Sequence, residues 1–264
     1  MFGIEFLPRS LHEDKTTIQL MREGALAYLK KQVDFILIPT NPRQVPSVDS
    51  LLASYALKQA IDDISFIPTL SGAHYVGQSG VEQFYAQLLA LRYANFKHIA
   101  IIGGERHNQE SMTSKAMIHA IRQELGEEIY IISGSGSLED NIGKAKLQEK
   151  LQAGVNAIIT QPLFEAKTAK AFLKTFRDIT HTGGYEVQVF LGVFGIFHIK
   201  SALSINEANL GFKIPQSYIE SMGLNQAKQS YERLWQDMQQ VAKEYQASLY
   251  LSTPKHNDLR AYGG

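Results

Sequence analysis

The run His98-Ile99-Ala100-Ile101-Ile102-Gly103-Gly104-Glu105, residues 98–105, is a short apolar stretch that stops on two glycines and a carboxylate. Four apolar residues, three of them β-branched, are too few for a helix and suit a strand buried on both faces of a parallel sheet. Seven further runs share this form: Gly3 to Phe6, Phe35 to Ile38, Phe66 to Leu70, Ile129 to Ser133, Ala157 to Thr160, Val187 to Leu191 and Ser248 to Leu251. Eight strands alternating with longer amphipathic segments predict a (β/α)8 barrel, and an open doubly wound sheet is the rival architecture. The chain has 264 residues, close to the roughly 250 of such barrels, so we expect a single domain over residues 1–264.

The connecting segments support this reading. Val81, Phe84, Tyr85, Leu88, Leu89 and Arg92 recur at three- and four-residue steps between residues 81 and 93, the period of a helix. Ser47 precedes the second helical segment, Ser79 is placed to cap the third helix, and Gly126 and Gly154 to end the fourth and fifth. The last helix is expected over Gln226 to Tyr245. From Gly195 to Gly223 the connection is too long for a simple crossover and carries Pro215, so an elaborated loop with an extra helix is expected after strand seven, over the barrel mouth.

Composition narrows the function. Lys and Arg number 26, as do Asp and Glu, so no net field draws the chain to nucleic acid or an anionic membrane, and a small-molecule partner is expected. There are no cysteines, which removes disulfides and thiolate chemistry and suits a reducing compartment. No basic region followed by an apolar stretch opens the chain, and no apolar run approaches the roughly 20 residues of a membrane span. Cytoplasm is the expected location. The eight histidines are scattered, without an HExxH or similar pair, so no metal site is expected.

In a barrel, strand ends carry the chemistry. Glu5 lies between Ile4 and Phe6. It reads either as a general acid whose pKa is raised by burial or as an interior carboxylate paired with Lys or Arg. Gly103, Gly104 and Glu105 form either a ligand-approach loop or an ordinary turn with a surface ion pair. Ser133-Gly134-Ser135-Gly136-Ser137 reads as a phosphate cradle or a flexible turn. Gln161, after Thr160, offers an amide to a planar heterocycle or bonds nearby backbone.

Taken in order, these strand ends resemble the methylenetetrahydrofolate reductase family. Ile4-Glu5-Phe6-Leu7-Pro8 is similar to the family's Phe-Glu-Phe-Phe-Pro-Pro, and Glu5 falls on its catalytic acid. Ile38-Pro39-Thr40 resembles a strand end in Val-Thr, and residues 98–105 resemble His-Ile-x-Ala-Leu-Arg-Gly-Asp. Glu105 then stands for the folate-contacting Asp, and Gly103 for an Arg that contacts the flavin. Residues 153–165 carry Ala-Gly and then Ile159-Thr160-Gln161 as the family does, so Gln161 falls on the substrate-contacting Gln. Gly192-Val193-Phe194-Gly195 and Phe212-Lys213-Ile214-Pro215 resemble two later family motifs.

Other positions depart from the pattern. Thr69, in Pro68-Thr69-Leu70-Ser71-Gly72, stands where the family has His, Gly134 to Ser137 replace a longer segment that covers the flavin, and Lys146 and Glu149 replace Asn and Arg. Lys150 keeps a lysine near the flavin phosphates.

The resemblance implies reduction of 5,10-methylenetetrahydrofolate to 5-methyltetrahydrofolate by NADH or NADPH through FAD. Thr40, Gly103, Gly104, Gly134 and Lys150 would lie along the cofactor, and Glu105 and Gln161 along the folate. A flavin-independent folate-linked reductase and a non-catalytic folate-binding barrel are the alternatives, and homo-oligomerisation stays open.

Overall fold

A computed structural model of the chain describes residues 1–21, 33–41, 45–103, 110–208, 210–223 and 227–252. Among these, the chain runs β1 (Phe2–Glu5), α1 (Leu11–Leu20), β2 (Phe35–Ile38), α2 (Ser50–Ala60), β3 (Ser65–Ser71), α3 (Gly77–Tyr93), β4 (His98–Ile102), α4 (Ser114–Leu125) and β5 (Tyr130–Ser135). It continues with α5 (Asn141–Gln152), β6 (Ala157–Pro162), α6 (Ala166–Gly183), β7 (Gln188–Phe194), α7 (Ile199–Ala208), α8 (Gln216–Met222), α9 (Ala227–Glu244) and β8 (Ser248–Ser252). Every neighbouring pair is parallel, and β8 pairs with β1, so the sheet is a closed (β/α)8 barrel. The open sheet is excluded.

Strand alternation sorts the residues into two cores. Phe35, Leu37, Ile67, Ala100, Ile132, Ala157, Phe190 and Tyr250 fill the barrel, while the intervening positions, such as Phe2, Ile4, Ile36, Ile99 and Leu249, pack outward on the helices. Phe35 sits edge-on to Phe190 at 5.3 Å and nearly parallel to Tyr250 at 6.3 Å. Gly3 makes this plug fit, because a Cβ there would lie 2.0 Å from the Phe35 ring. At the amino-terminal end Tyr130 donates to Gln188 at 2.9 Å, and Gln188 donates to Ser248 at 3.1 Å. With the interior packed and that end bridged, a ligand has the carboxyl end of the strands to bind.

The outer helices follow from their spacing. On α9, Tyr231, Leu234, Trp235, Met238, Val241 and Ala242 are buried, and Trp235 meets Phe2 edge-on at 5.6 Å. Arg122 on α4 joins two turns, donating to the carbonyls of Ile129 and Gly154 and to the Asn156 side chain. Gly126 closes α4 at φ 84°, and Gly154 follows α5 at φ 95°, both as expected.

Other details differ from expectation. Ser79 lies inside α3, which starts at Gly77 without a side-chain cap. Ser47 bonds Asn41, and Asp49 caps α2 through the Leu52 N–H. On α3 the buried face is Phe84, Leu88 and Leu91, whereas Tyr85 and Leu89 face solvent. The connection after β7 holds two helices, α7 and α8, before α9.

Because the Gly3 position is filled by the Phe35 ring, Gly3→Ala should destabilise the fold by about 2 kcal/mol through overpacking. Adding Phe35→Leu should recover most of that loss. Urea unfolding of both variants measures this, and an unperturbed Gly3→Ala would contradict the packing.

Candidate active site at the carboxyl end of the barrel

The barrel mouth is where side chains toward the strand ends become half-exposed: Glu5 ends β1, Ile102 ends β4, Gly134 lies in β5, Ile159 and Gln161 in β6, and Ser252 ends β8. Glu5 and Gln161 therefore stand at the same, carboxyl end of a closed barrel. Tyr250 is 4% exposed and donates its hydroxyl to Glu5 Oε2 at 3.3 Å. Burial first, then the Glu5 charge and this bond, push the phenol well above its ordinary pKa.

Gln161 owes its place to an irregularity. Pairing of β6 with β7 shifts between Ile159 and Pro162, and such a bulge re-aims the side chains beside it. Thr160 Oγ1 holds the shift, accepting from the Gly192 N–H at 2.9 Å and donating to the Gln161 carbonyl at 2.8 Å.

The connection between α7 and α8 folds onto this corner. A Cβ on Gly211, whose φ is 82°, would lie 3.7 Å from Gln161 Nε2, and Asn206 pins the same segment through two bonds to Ile214. Phe212 stacks on Phe164 at 6.4 Å and meets Phe194 edge-on at 5.8 Å, with Tyr218 5.0 Å from Phe164. An apolar aromatic wall thus flanks the Gln161 amide.

Thr69 faces the barrel axis with the same parity as Ile67 and is 2% exposed. Among the described residues its hydroxyl has no hydrogen-bond partner, an arrangement that costs about 1–3 kcal/mol unless a ligand or water meets it. The sequence marks Thr69 only as a departure and does not single out Tyr250 or Gly211. The alternation of β3 and β8 was available as a signal, but which polar side chain would end up paired was not.

The β5 corner differs from a phosphate cradle. Ser133, Gly134 and Ser135 belong to β5 itself, with the Ser133 hydroxyl donated to Ile101 and the Ser135 hydroxyl to Gly136. At the start of α5 the Asp140 carboxylate accepts the Gly143 N–H at 2.6 Å, so an acid already occupies the helix terminus. Lys150 donates its ammonium to the Gly134 carbonyl. Burial, then neighbouring Lys146, push it down to about 8.

Gly103 flanks the mouth after β4, and Thr40 follows β2 half-buried. Gly104 and Glu105 lie outside the described residues. Among the described residues no three His, Asp or Glu side chains gather to hold a metal ion, and no helix is long and apolar enough to cross a membrane.

The family model of methylenetetrahydrofolate reductase matches residues 85–234. No curated protein matches the chain. Among solved structures, a Clostridium thermocellum protein described as uncharacterized and as binding two copies of 5-methyl-5,6,7,8-tetrahydrofolic acid is similar with a TM-score of 0.70. It is 12% identical, over 99% of this chain and 91% of that one. A 2,3-dimethylmalate lyase of the PEP mutase/isocitrate lyase superfamily is similar with a TM-score of 0.51 at 12% identity, over 96% and 74% of the two chains. At these identities the likeness is one of fold.

Lys150 makes a pH test of this corner. Its folded pKa is lowered from 10.5 to about 8, so between those values the unfolded chain binds the extra proton and stability rises with pH. Lys150→Met should flatten that rise. Parallel urea titrations from pH 7.5 to 10.5 measure it, and equal slopes for the two proteins would contradict the buried ammonium.

Proposed function

The chain belongs to the methylenetetrahydrofolate reductase family, and from that premise we propose that it reduces 5,10-methylenetetrahydrofolate to 5-methyltetrahydrofolate at the barrel mouth with NADH or NADPH. The observation that supports this reading is that an acid and an amide, Glu5 and Gln161, lie half-buried at the carboxyl ends of β1 and β6, at one end of the barrel. The folate bound by the Clostridium thermocellum neighbour supports a folate as the ligand of this barrel.

Glu5 acts as general acid. It gives its proton to N10 of the folate as the bond between N10 and the bridging carbon breaks, which leaves an iminium at N5. A hydride from the nicotinamide then adds its electron pair to that carbon, so the folate gains one proton and one hydride and the nicotinamide is oxidised. Gln161 presents donor and acceptor together to the pterin edge, the edge to which the family resemblance also assigns Glu105. Phe212, Phe164 and Phe194 form an apolar wall beside it that excludes water.

The β5 corner does not suit the pyrophosphate of a flavin dinucleotide. Lys150 is turned to a backbone carbonyl, Asp140 fills the α5 terminus with negative charge, and Glu149, ion-paired with Lys115 at 3.8 Å, adds another acid. This disagreement supports hydride transfer directly from nicotinamide to folate, with Gly103, Gly134 and Thr40 lining the space beside the folate.

Glu5→Gln should leave 5-methyltetrahydrofolate affinity within twofold or so and lower turnover by about 10²- to 10⁴-fold; unchanged turnover would remove Glu5 from the chemistry. Purified protein should be colourless, stay so after incubation with FAD and gel filtration, and turn over without it. Folate binding with no turnover under either nicotinamide would instead mark a binding barrel. Thr69→Val should weaken folate binding about tenfold, near 1.4 kcal/mol, while the ligand-free chain melts no lower. Calorimetric titration and melting together test this, and an unaltered affinity would separate Thr69 from the ligand.

A further inference from the structure

We propose that the outer face formed by α2 and α3 is the contact surface of a two-fold dimer of this chain. The inference is independent of the chemistry at the barrel mouth, because these helices lie on the flank of the barrel. They are neighbours there: α2 follows β2, α3 follows β3, and those two strands pair. Near the end of α2, Lys58 donates to the Asn95 carbonyl at 3.2 Å and sits 5.1 Å over the Phe96 ring, both just past the end of α3.

Helical spacing decides which side chains point outward. On α2, Ala53, Ser54 and Leu57 are buried while Leu52 and Tyr55 are exposed; on α3, Phe84, Leu88 and Leu91 are buried while Tyr85, Leu89 and Tyr93 are exposed. The last three recur at four-residue steps and so form one row along the helix. A solvated helix normally turns charge outward. Helix α6 does so with Lys167, Lys170, Lys174, Arg177 and Asp178, and α9 is similarly charged from Lys228 to Glu244. The 11 residues of α2 and the 17 of α3 hold three charged side chains between them, Lys58, Glu82 and Arg92. Tyrosine in place of Lys and Glu is the composition of an interface core, not of free surface.

Size and symmetry identify the occupant as a second copy. Tyr93 is 94% exposed, Leu52 62%, Leu89 58%, Tyr55 42% and Tyr85 39%, which amounts to about three whole side chains at ~200 Å² each. Two copies would cover about 1,200 Å², the size at which specific interfaces begin. The charges suit a two-fold contact as well. Glu82 lies one turn before Tyr85 and Arg92 one turn after Leu89, both exposed. An antiparallel crossing of two α3 helices centred on Gln87 sets Glu82 of each copy against Arg92 of the other, and Tyr85 against Leu89, since both pairs straddle Gln87 evenly. Ala86, exposed beside that centre, leaves room for close approach. Arg92 is steadied by the carbonyl and carboxylate of Glu124. A partner of one-signed charge would place a like charge against either Glu82 or Arg92, whereas a second copy matches both.

Sedimentation equilibrium of the full-length chain tests this. At about 50 μM the wild type should show twice the 29.5 kDa mass of one chain. Leu89→Glu should weaken association about 100-fold with an unchanged melting temperature, because Leu89 faces solvent in the single chain. Glu82→Arg alone and Arg92→Glu alone should each be monomeric, since like charges then meet across the axis. An equimolar mixture of these two variants should return to twice the chain mass, because each offers the other an opposite charge at both ends of the crossing. A wild type at single-chain mass, a dimer that Leu89→Glu leaves intact, or a mixture of folded charge variants that stays monomeric would each overturn the assignment.

Discussion

The ladder that joins β8 to β1 is the contact on which the rest of the molecule depends. It brings residues some 245 positions apart into register, Phe2 with Leu249 and Ile4 with Leu251, and leaves the sheet without an edge. Closure is possible because Gly3 yields its inward volume to Phe35, whose ring meets Phe190 and Tyr250 across the axis. A sheet that failed to close would expose two strand edges and the eight-residue interior cluster. The same ladder sets Tyr250 beside the strand that ends in Glu5, so stability and the site share one interface.

A division of labour follows along the barrel axis. The centre is apolar and packed, the amino-terminal end is bridged by Tyr130, Gln188 and Ser248, and Glu5, Gln161 and Ser252 at the carboxyl end are half-exposed. There the protein keeps features that a purely structural core would discard: a carboxyl held by a buried phenol, a bulge beneath Gln161 and a Thr69 hydroxyl unpaired among the described residues. Each has an energetic cost that binding can offset. The segment between α7 and α8 closes one side of this end with aromatic rings and the Gly211 backbone.

Much of the fold was legible because it depends on local pattern. Each strand is an apolar run of four to seven residues between polar turns, and the observed strands lie within one or two residues of the expected ones at most of their ends. Helix ends at Gly126 and Gly154 were legible because positive φ selects glycine. Ser79 misled because capping depends on where the helix axis begins, and the approach of the preceding loop decides that. The outward turn of Tyr85 and Leu89 has the same origin: a helix with apolar residues on two faces is oriented by its neighbours rather than by its own periodicity.

The site divides in the same way. Sequence alone determined that Glu5 and Gln161 end apolar strands, that the charge is balanced and that no cysteine takes part, since these are properties of residue type and spacing. Tertiary structure decided the partners. Gly134 became a strand residue whose carbonyl takes the Lys150 ammonium, Asp140 filled the helix terminus offered to a phosphate, and Tyr250 crossed from the last strand to the first residue of the site. The Lys150 and Tyr250 pairings join residues 16 and 245 positions apart, and no local pattern that forms a strand or a helix encodes them. Barrel closure selects the second, because only the closed sheet brings its first and last strands to one end of one core.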